Sequence, residues 1–113
     1  MSAITTHILD ISTGQPAASV PIKLEFLKDG AWEKVGSGQT DSDGRVKDLV
    51  ETGFKFVSGQ YRIDFTVSDY FEKQKVDSFY PYVKIVFEVK DPESHYHVPL
   101  LLSPFGYSTY RGS

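Results

Sequence analysis

The sequence predicts an all-β sandwich of about seven or eight strands with one short helix, and three features carry that expectation. Short runs rich in β-branched and aromatic residues recur at intervals of roughly ten residues, with turn signals between them. Within each run apolar and polar residues alternate, which lines a single face of a strand. No long stretch keeps a helical period. Residues 1–113 read as one domain, long enough to bury a core without cross-links.

The elements follow in order. Ile4 to Ser12 is a first strand, with His7, Leu9 and Ile11 on one face and Ile4, Thr6, Ile8 and Asp10 on the other. Thr13-Gly14-Gln15-Pro16 turns the chain. Val20 to Leu27 sends Ile22, Leu24 and Phe26 inward and Lys23 and Glu25 outward, and Lys28-Asp29-Gly30 folds it into a hairpin with Ala31 to Gly38. Thr40-Asp41-Ser42-Asp43-Gly44-Arg45 resembles a calcium loop in its alternating oxygen donors. It departs from that pattern in having Arg45 after the glycine, no helical flanks and only Glu51 near the closing position, and acidic turns with glycine arise for backbone reasons alone. Leu49 to Val57 is too weakly patterned to assign as strand or irregular connection. Gly59 to Val67 is a half-buried strand, with Tyr61, Ile63, Phe65 and Val67 inward and Arg62 on the solvated side. Ser68-Asp69 offers a cap for one or two helical turns over Tyr70 to Lys75. Asp77 to Tyr82, containing Phe79-Tyr80-Pro81, is an aromatic loop. Tyr82 to Lys90 is a strand with Ile85, Phe87 and Val89 on one face, and Asp91-Pro92-Glu93-Ser94 is expected to hairpin it onto the next.

The last stretch has an unusual pattern. Tyr96, Val98, Leu100 and Leu102 share one face, while His95, His97, Pro99 and Leu101 share the other. A sandwich strand needs one apolar face for its own core, so the second predicts burial against another chain or a site wall. Ser103-Pro104-Phe105-Gly106 is a tight connection, and Tyr107 to Tyr110 is the final strand.

Composition excludes several classes of function. The chain has no cysteine, hence no disulfide, thiolate metal site or cysteine nucleophile. Its net charge is −3 with basic residues scattered, so nucleic acid is not an expected partner. No apolar run approaches membrane-spanning length, and a membrane is not expected either. The start, Met1-Ser2-Ala3-Ile4-Thr5-Thr6-His7, lacks the basic and apolar regions of a secretion signal, and Arg111-Gly112-Ser113 is not a peroxisomal tripeptide, which makes the cytoplasm the expected location.

The three histidines, His7, His95 and His97, lie on the first and penultimate strands and allow three arrangements. They could form a three-histidine zinc site with one open position. A neutral imidazole could act as general base beside an arginine that stabilises an oxyanion. They could also simply hydrogen-bond at a surface or interface. Among the arginines, Arg62 reads as solvated, Arg45 as a loop-end residue able to pair with a carboxylate, and Arg111 as a partner for the carboxylate of Ser113.

Several motifs together carry a resemblance. Thr5-Thr6-His7-Ile8-Leu9-Asp10 with Thr13-Gly14-Gln15-Pro16-Ala17, the Asp41-Ser42-Asp43-Gly44-Arg45 turn, Phe79-Tyr80-Pro81, His97-Val98-Pro99-Leu100-Leu101-Leu102-Ser103-Pro104 and the ending Tyr107-Ser108-Thr109-Tyr110-Arg111-Gly112-Ser113 resemble the transthyretin-related 5-hydroxyisourate hydrolase family of purine catabolism. The similarity spans nearly the whole chain, and Tyr-Arg-Gly-Ser is its most specific part. Transthyretin shares only the more general sandwich pattern.

The resemblance implies a transthyretin-like (prealbumin-like) sandwich assembled as a homotetramer, a dimer of dimers whose central channel holds the active sites. It implies hydrolysis of the lactam amide of 5-hydroxyisourate to 2-oxo-4-hydroxy-4-carboxy-5-ureidoimidazoline without metal or other cofactor. It carries His7, Arg45 and His97 over as catalytic and substrate-binding residues, with Tyr110, Arg111 and Ser113 completing the substrate site. His95 is outside that set. Two other classes compete: a carrier that holds a small aromatic ligand in the same channel without chemistry, and a sandwich domain that makes protein contacts through exposed aromatics such as Phe79-Tyr80-Pro81.

Overall fold

The computed structural model describes residues 3–113; Met1 and Ser2, part of the stretch on which the expectation of no secretion signal rests, lie outside the described residues. The elements run β1 Ile4–Asp10, β2 Gln15–Pro16, β3 Pro21–Lys28, β4 Ala31–Gln39, β5 Arg45–Val46, β6 Gly59–Phe65, α1 Ser68–Lys73, β7 Val83–Val89, β8 Tyr96–Ser103 and β9 Gly106–Thr109. Two sheets form the sandwich. One has the order β2-β1-β8-β9, with β5 also paired to β1, and the other has the order β4-β3-β6-β7. All the pairings are antiparallel except β1 with β8, which run parallel from Ile4 opposite Tyr96 to Asp10 opposite Leu102.

Alternation places the core where the sequence predicts it. Ile4, Ile8, Leu100 and Leu102 of the first sheet meet Leu24, Ile63 and Phe65 of the second, all buried. Fully burying side chains of this size is worth roughly 1.5–3 kcal/mol each in area removed from water. Asp10 is also buried, and its carboxylate accepts from the Ser12 backbone N–H at 2.9 Å and from Tyr70 Oη at 2.8 Å. Those bonds tie α1 to the first sheet and satisfy a charge that burial would otherwise penalise.

Three expectations change. β7 and β8 do not form a hairpin, because β7 pairs with β6 in the second sheet while β8 pairs with β1 in the first. The Asp91 turn instead carries the chain between the sheets. Its carboxylate accepts from Glu93 N at 2.9 Å and Ser94 Oγ at 3.0 Å, and Tyr96 Oη closes it on the Asp91 carbonyl at 2.9 Å. Glu25 and Arg62 face outward as alternation requires, yet Arg62 is not solvated as expected. They stand opposite each other in the β3–β6 register with Arg62 Nη2 2.8 Å from Glu25 Oε1, and the guanidinium lies 4.4 Å over the Trp32 ring, leaving Glu25 8% exposed.

The helix cap differs as well. Val67 occupies the N-cap position without a side-chain bond, and Ser68 donates its backbone N–H to the Pro81 carbonyl at 3.1 Å, so a tertiary partner does the work of a cap. Leu49 to Val57 is an irregular connection. Its Phe54 and Phe56 rings lie 6.4 Å and 5.3 Å from Tyr61, whose hydroxyl donates to the Val57 carbonyl at 2.6 Å.

Candidate active site

Residues paired across adjacent strands project from the same face of a sheet. The β1–β8 register sets Thr5 beside His97, and the β1–β5 register sets His7 beside Arg45. Thr5 and His7 are two apart on β1, so all four side chains leave the first sheet on its outer face, away from the core. This face is the doubly apolar one expected from the sequence, continued by the half-buried Leu9 and Leu101.

The turn before β5 aims Arg45. Asp41 Oδ1 accepts from Asp43 N at 2.9 Å and Arg45 N at 3.0 Å, and these bonds, Arg45 first, hold its carboxyl below the usual carboxylate range. The oxygen that suggested calcium is thus spent on the backbone. Among the described residues no group of three or more histidine, cysteine or acidic side chains is placed to hold a metal ion. Gly44 takes φ +74° and packs so closely on β1 that a Cβ would sit 2.5 Å from the Ile8 carbonyl oxygen. The same contact lets Ile8 N donate to the Gly44 carbonyl at 2.8 Å, which docks the turn on β1.

A groove of about 420 Å³ opens on this face, with Thr5, Arg45, Lys47, His95, His97 and Ser113 among its lining residues. His7 stands just beyond that lining, joined to it through the paired backbone of Arg45. Thr5 Oγ1 lies 2.8 Å from His97 Nδ1 and 3.1 Å from His95 Nε2, bridging the two imidazoles. Gly112 N donates to the His97 carbonyl at 2.8 Å, and a Cβ at Gly112 would fall 2.6 Å from His97 Cδ2. Only glycine lets the last segment lie this close to the ring.

Burial is the first cause that draws both His7 and His97 below the ordinary imidazole value of 6.5, and the Arg45 charge is the second. For His97 the neighbouring His7 and His95 add to the effect, while the Thr5 backbone opposes it; for His7 the Asp43 backbone and the Asp41 and Asp43 carboxylates oppose it. Both rings are therefore neutral near pH 7 and able to take a proton. Among the described residues Arg45 makes no ion pair, so its charge remains available to a ligand.

The predicted site residues thus divide. His7, Arg45, His97 and Ser113 converge on the outer face, whereas Tyr110 and Arg111 line a second groove of about 250 Å³ with β7 and β8 residues. There Arg111 lies 4.5 Å over the Tyr96 ring, and its Nη2 donates to the His95 carbonyl at 3.2 Å. Thr5 and Lys47 enter the first groove although sequence reasoning gave them no role, and so does His95, which the resemblance leaves outside the site. The signal that would have found Thr5 is the parallel register of β1 on β8, which joins residues 92 apart.

Comparison with known proteins matches residues 4–112 to the HIUase/Transthyretin family. A probable 5-hydroxyisourate hydrolase of Caenorhabditis elegans is 47% identical over 99% of this chain and 82% of its own length. The structure of Klebsiella pneumoniae 5-hydroxyisourate hydrolase superposes with a TM-score of 0.84 at 34% identity, covering 99% of this chain and all of that one. Sea bream transthyretin in complex with thyroxine superposes with a TM-score of 0.89, also at 34% identity, covering 97% and 94%.

Proposed function

The chain belongs to the HIUase/Transthyretin family, and on that footing we infer that it is a 5-hydroxyisourate hydrolase of urate degradation, opening the ring amide of its substrate with water. The observation that supports this reading is that two neutral imidazoles and a guanidinium without an ion pair among the described residues share the outer face of the first sheet, His97 and Arg45 lining the groove and His7 just beyond it. A carrier has no use for that combination.

In the proposed mechanism His97 takes a proton from water as its oxygen forms a bond to the lactam carbonyl carbon. Arg45 stabilises the oxyanion that develops on the carbonyl oxygen. When the carbon–nitrogen bond breaks, the departing nitrogen recovers a proton from imidazolium, with His7 orienting the water or supplying that proton. The products are a carboxylate and the opened ring of 2-oxo-4-hydroxy-4-carboxy-5-ureidoimidazoline. The 420 Å³ groove falls within the usual range for small-molecule sites and is open on one side. Closure by other copies in a homotetramer, a dimer of dimers, fits the apolar outer face and gives Tyr110 and Arg111 a route to the substrate alongside Ser113. No metal or cofactor is needed for these steps, and the cytoplasm is the proposed location.

His97→Gln and Arg45→Gln should each lower kcat/KM for freshly generated 5-hydroxyisourate by about 10²–10⁴-fold while leaving the circular dichroism spectrum unchanged. Turnover at the parent rate by both folded variants would overturn the mechanism. A chain truncated after Thr109 should also be inactive, and full activity in that form would remove the terminal segment from the site.

A further inference from the structure

The bridging hydroxyl of Thr5 is not used by the mechanism above. A hydroxyl has one proton to give and two lone pairs to receive. Here it stands between His97 Nδ1 at 2.8 Å and His95 Nε2 at 3.1 Å, so it donates to no more than one of them. With both bonds made, at least one ring must donate to Thr5. The Thr5 backbone favours the protonated form of His97, as an acceptor beside the ring does.

We propose that Thr5 and His95 are positioning residues that hold His97 as its Nδ1–H tautomer, leaving the Nε2 lone pair for the attacking water. His97 Nδ1–H donates to Thr5 Oγ1, and Thr5 Oγ–H donates to His95 Nε2. The opposite polarity would place the proton on His97 Nε2 and leave the nitrogen away from Thr5 unable to act as a base. His95 is held in turn by the terminal segment, since Arg111 bonds the His95 carbonyl at 3.2 Å and stacks on the adjacent Tyr96 ring. The chain's last residues thus fix the backbone of His95, while its ring meets Thr5. This gives His95, and part of the terminal motif, work that does not require contact with substrate.

The proposal rests on His97 being the base, but its test reads the tautomer without substrate. Imidazole ¹⁵N shifts of the assembled, histidine-labelled protein, assigned with single-histidine variants, should show a protonated Nδ1 and an unprotonated Nε2 on His97 at pH 8. Thr5→Val, which keeps the branched shape and loses the hydroxyl, should shift His97 toward the Nε2–H form and lower kcat by about tenfold or more with KM within about threefold. Thr5→Ser should restore the tautomer and most of kcat. His95→Ala, which removes the acceptor at the end of the relay, should mix the tautomers and lower kcat in the same sense. A predominantly Nε2–H His97 in the parent protein would overturn the proposal, as would a folded Thr5→Val enzyme with unchanged tautomer and kcat. If the tautomer is as stated but His97→Gln keeps full turnover, the choice of base fails and the hydrogen-bonded relay stands.

Discussion

His7 and His97 owe their lowered basicity to burial before any charge, with Arg45 next in each case. The acid limb of kcat/KM should therefore fall below pH 6.5, because a protonated ring cannot accept the water proton. An NMR titration of His97 in Arg45→Gln should move upward, since the neighbouring positive charge that disfavours imidazolium is gone. An unchanged midpoint would show that the guanidinium does not act on the ring. Stability has a matching sign. The unfolded chain binds protons at these histidines at higher pH than the folded chain does, so the full contribution is present above about pH 6.5 and is lost as pH falls through the lowered native values. A urea midpoint that drops from pH 7.5 to 5 more steeply in the parent than in a double His7→Gln, His97→Gln variant would be the signature. At this scale the sequence singled out His7, Arg45 and His97 through matched motifs, and the structure sets them on one sheet face, but Arg62 was expected in solvent and is covered instead. Alternation gives the direction of a side chain and says nothing of what lies across the sheet to cover it.

The Asp41-to-Arg45 turn, rather than any long strand, decides where the guanidinium stands. Gly44→Ala would force a Cβ toward the Ile8 carbonyl, 2.5 Å away, at a positive φ, and should cost about 1–3 kcal/mol. Because Arg45 follows directly, kcat/KM should fall about tenfold or more even at temperatures where the variant is fully folded. A thermal melt and a rate measured on the same preparation would separate the two effects, and an unperturbed rate would show that the turn does not position Arg45. Most elements were legible at this level, since their faces follow from a period of two: Tyr61, Ile63 and Phe65 are buried as predicted, as are Ile4 and Ile8. The Asp91 turn was not legible as a crossing. Its residues specify a reversal of direction, while the choice of partner strand depends on β1, some ninety positions away in the chain.

For the whole molecule, the outer face of the first sheet combines the chemical groups with unburied apolar surface. Ile11, 54% exposed, and Phe105, 68% exposed, stand at one end of that sheet, where Ile11 N donates to the Leu102 carbonyl at 2.8 Å. Such surface is costly to leave in water and suits contact with further copies. A double Ile11→Asp, Phe105→Asp variant should sediment as a smaller species than the parent and lose most of its turnover. A fully active smaller species would place the complete site within one chain or one dimer.

The sequence by itself determined the two-faced strands, the turns, the single short helix and the family, because each depends on local alternation, turn chemistry or a continuous motif. Beyond the β3–β4 hairpin, only the tertiary structure decided which strands share a sheet, and with it that Thr5 meets His97 and His95 while Arg45 meets His7. The physical reason is that a parallel pairing between the first and penultimate long strands is chosen by the burial of the whole core. No short stretch of residues carries that choice.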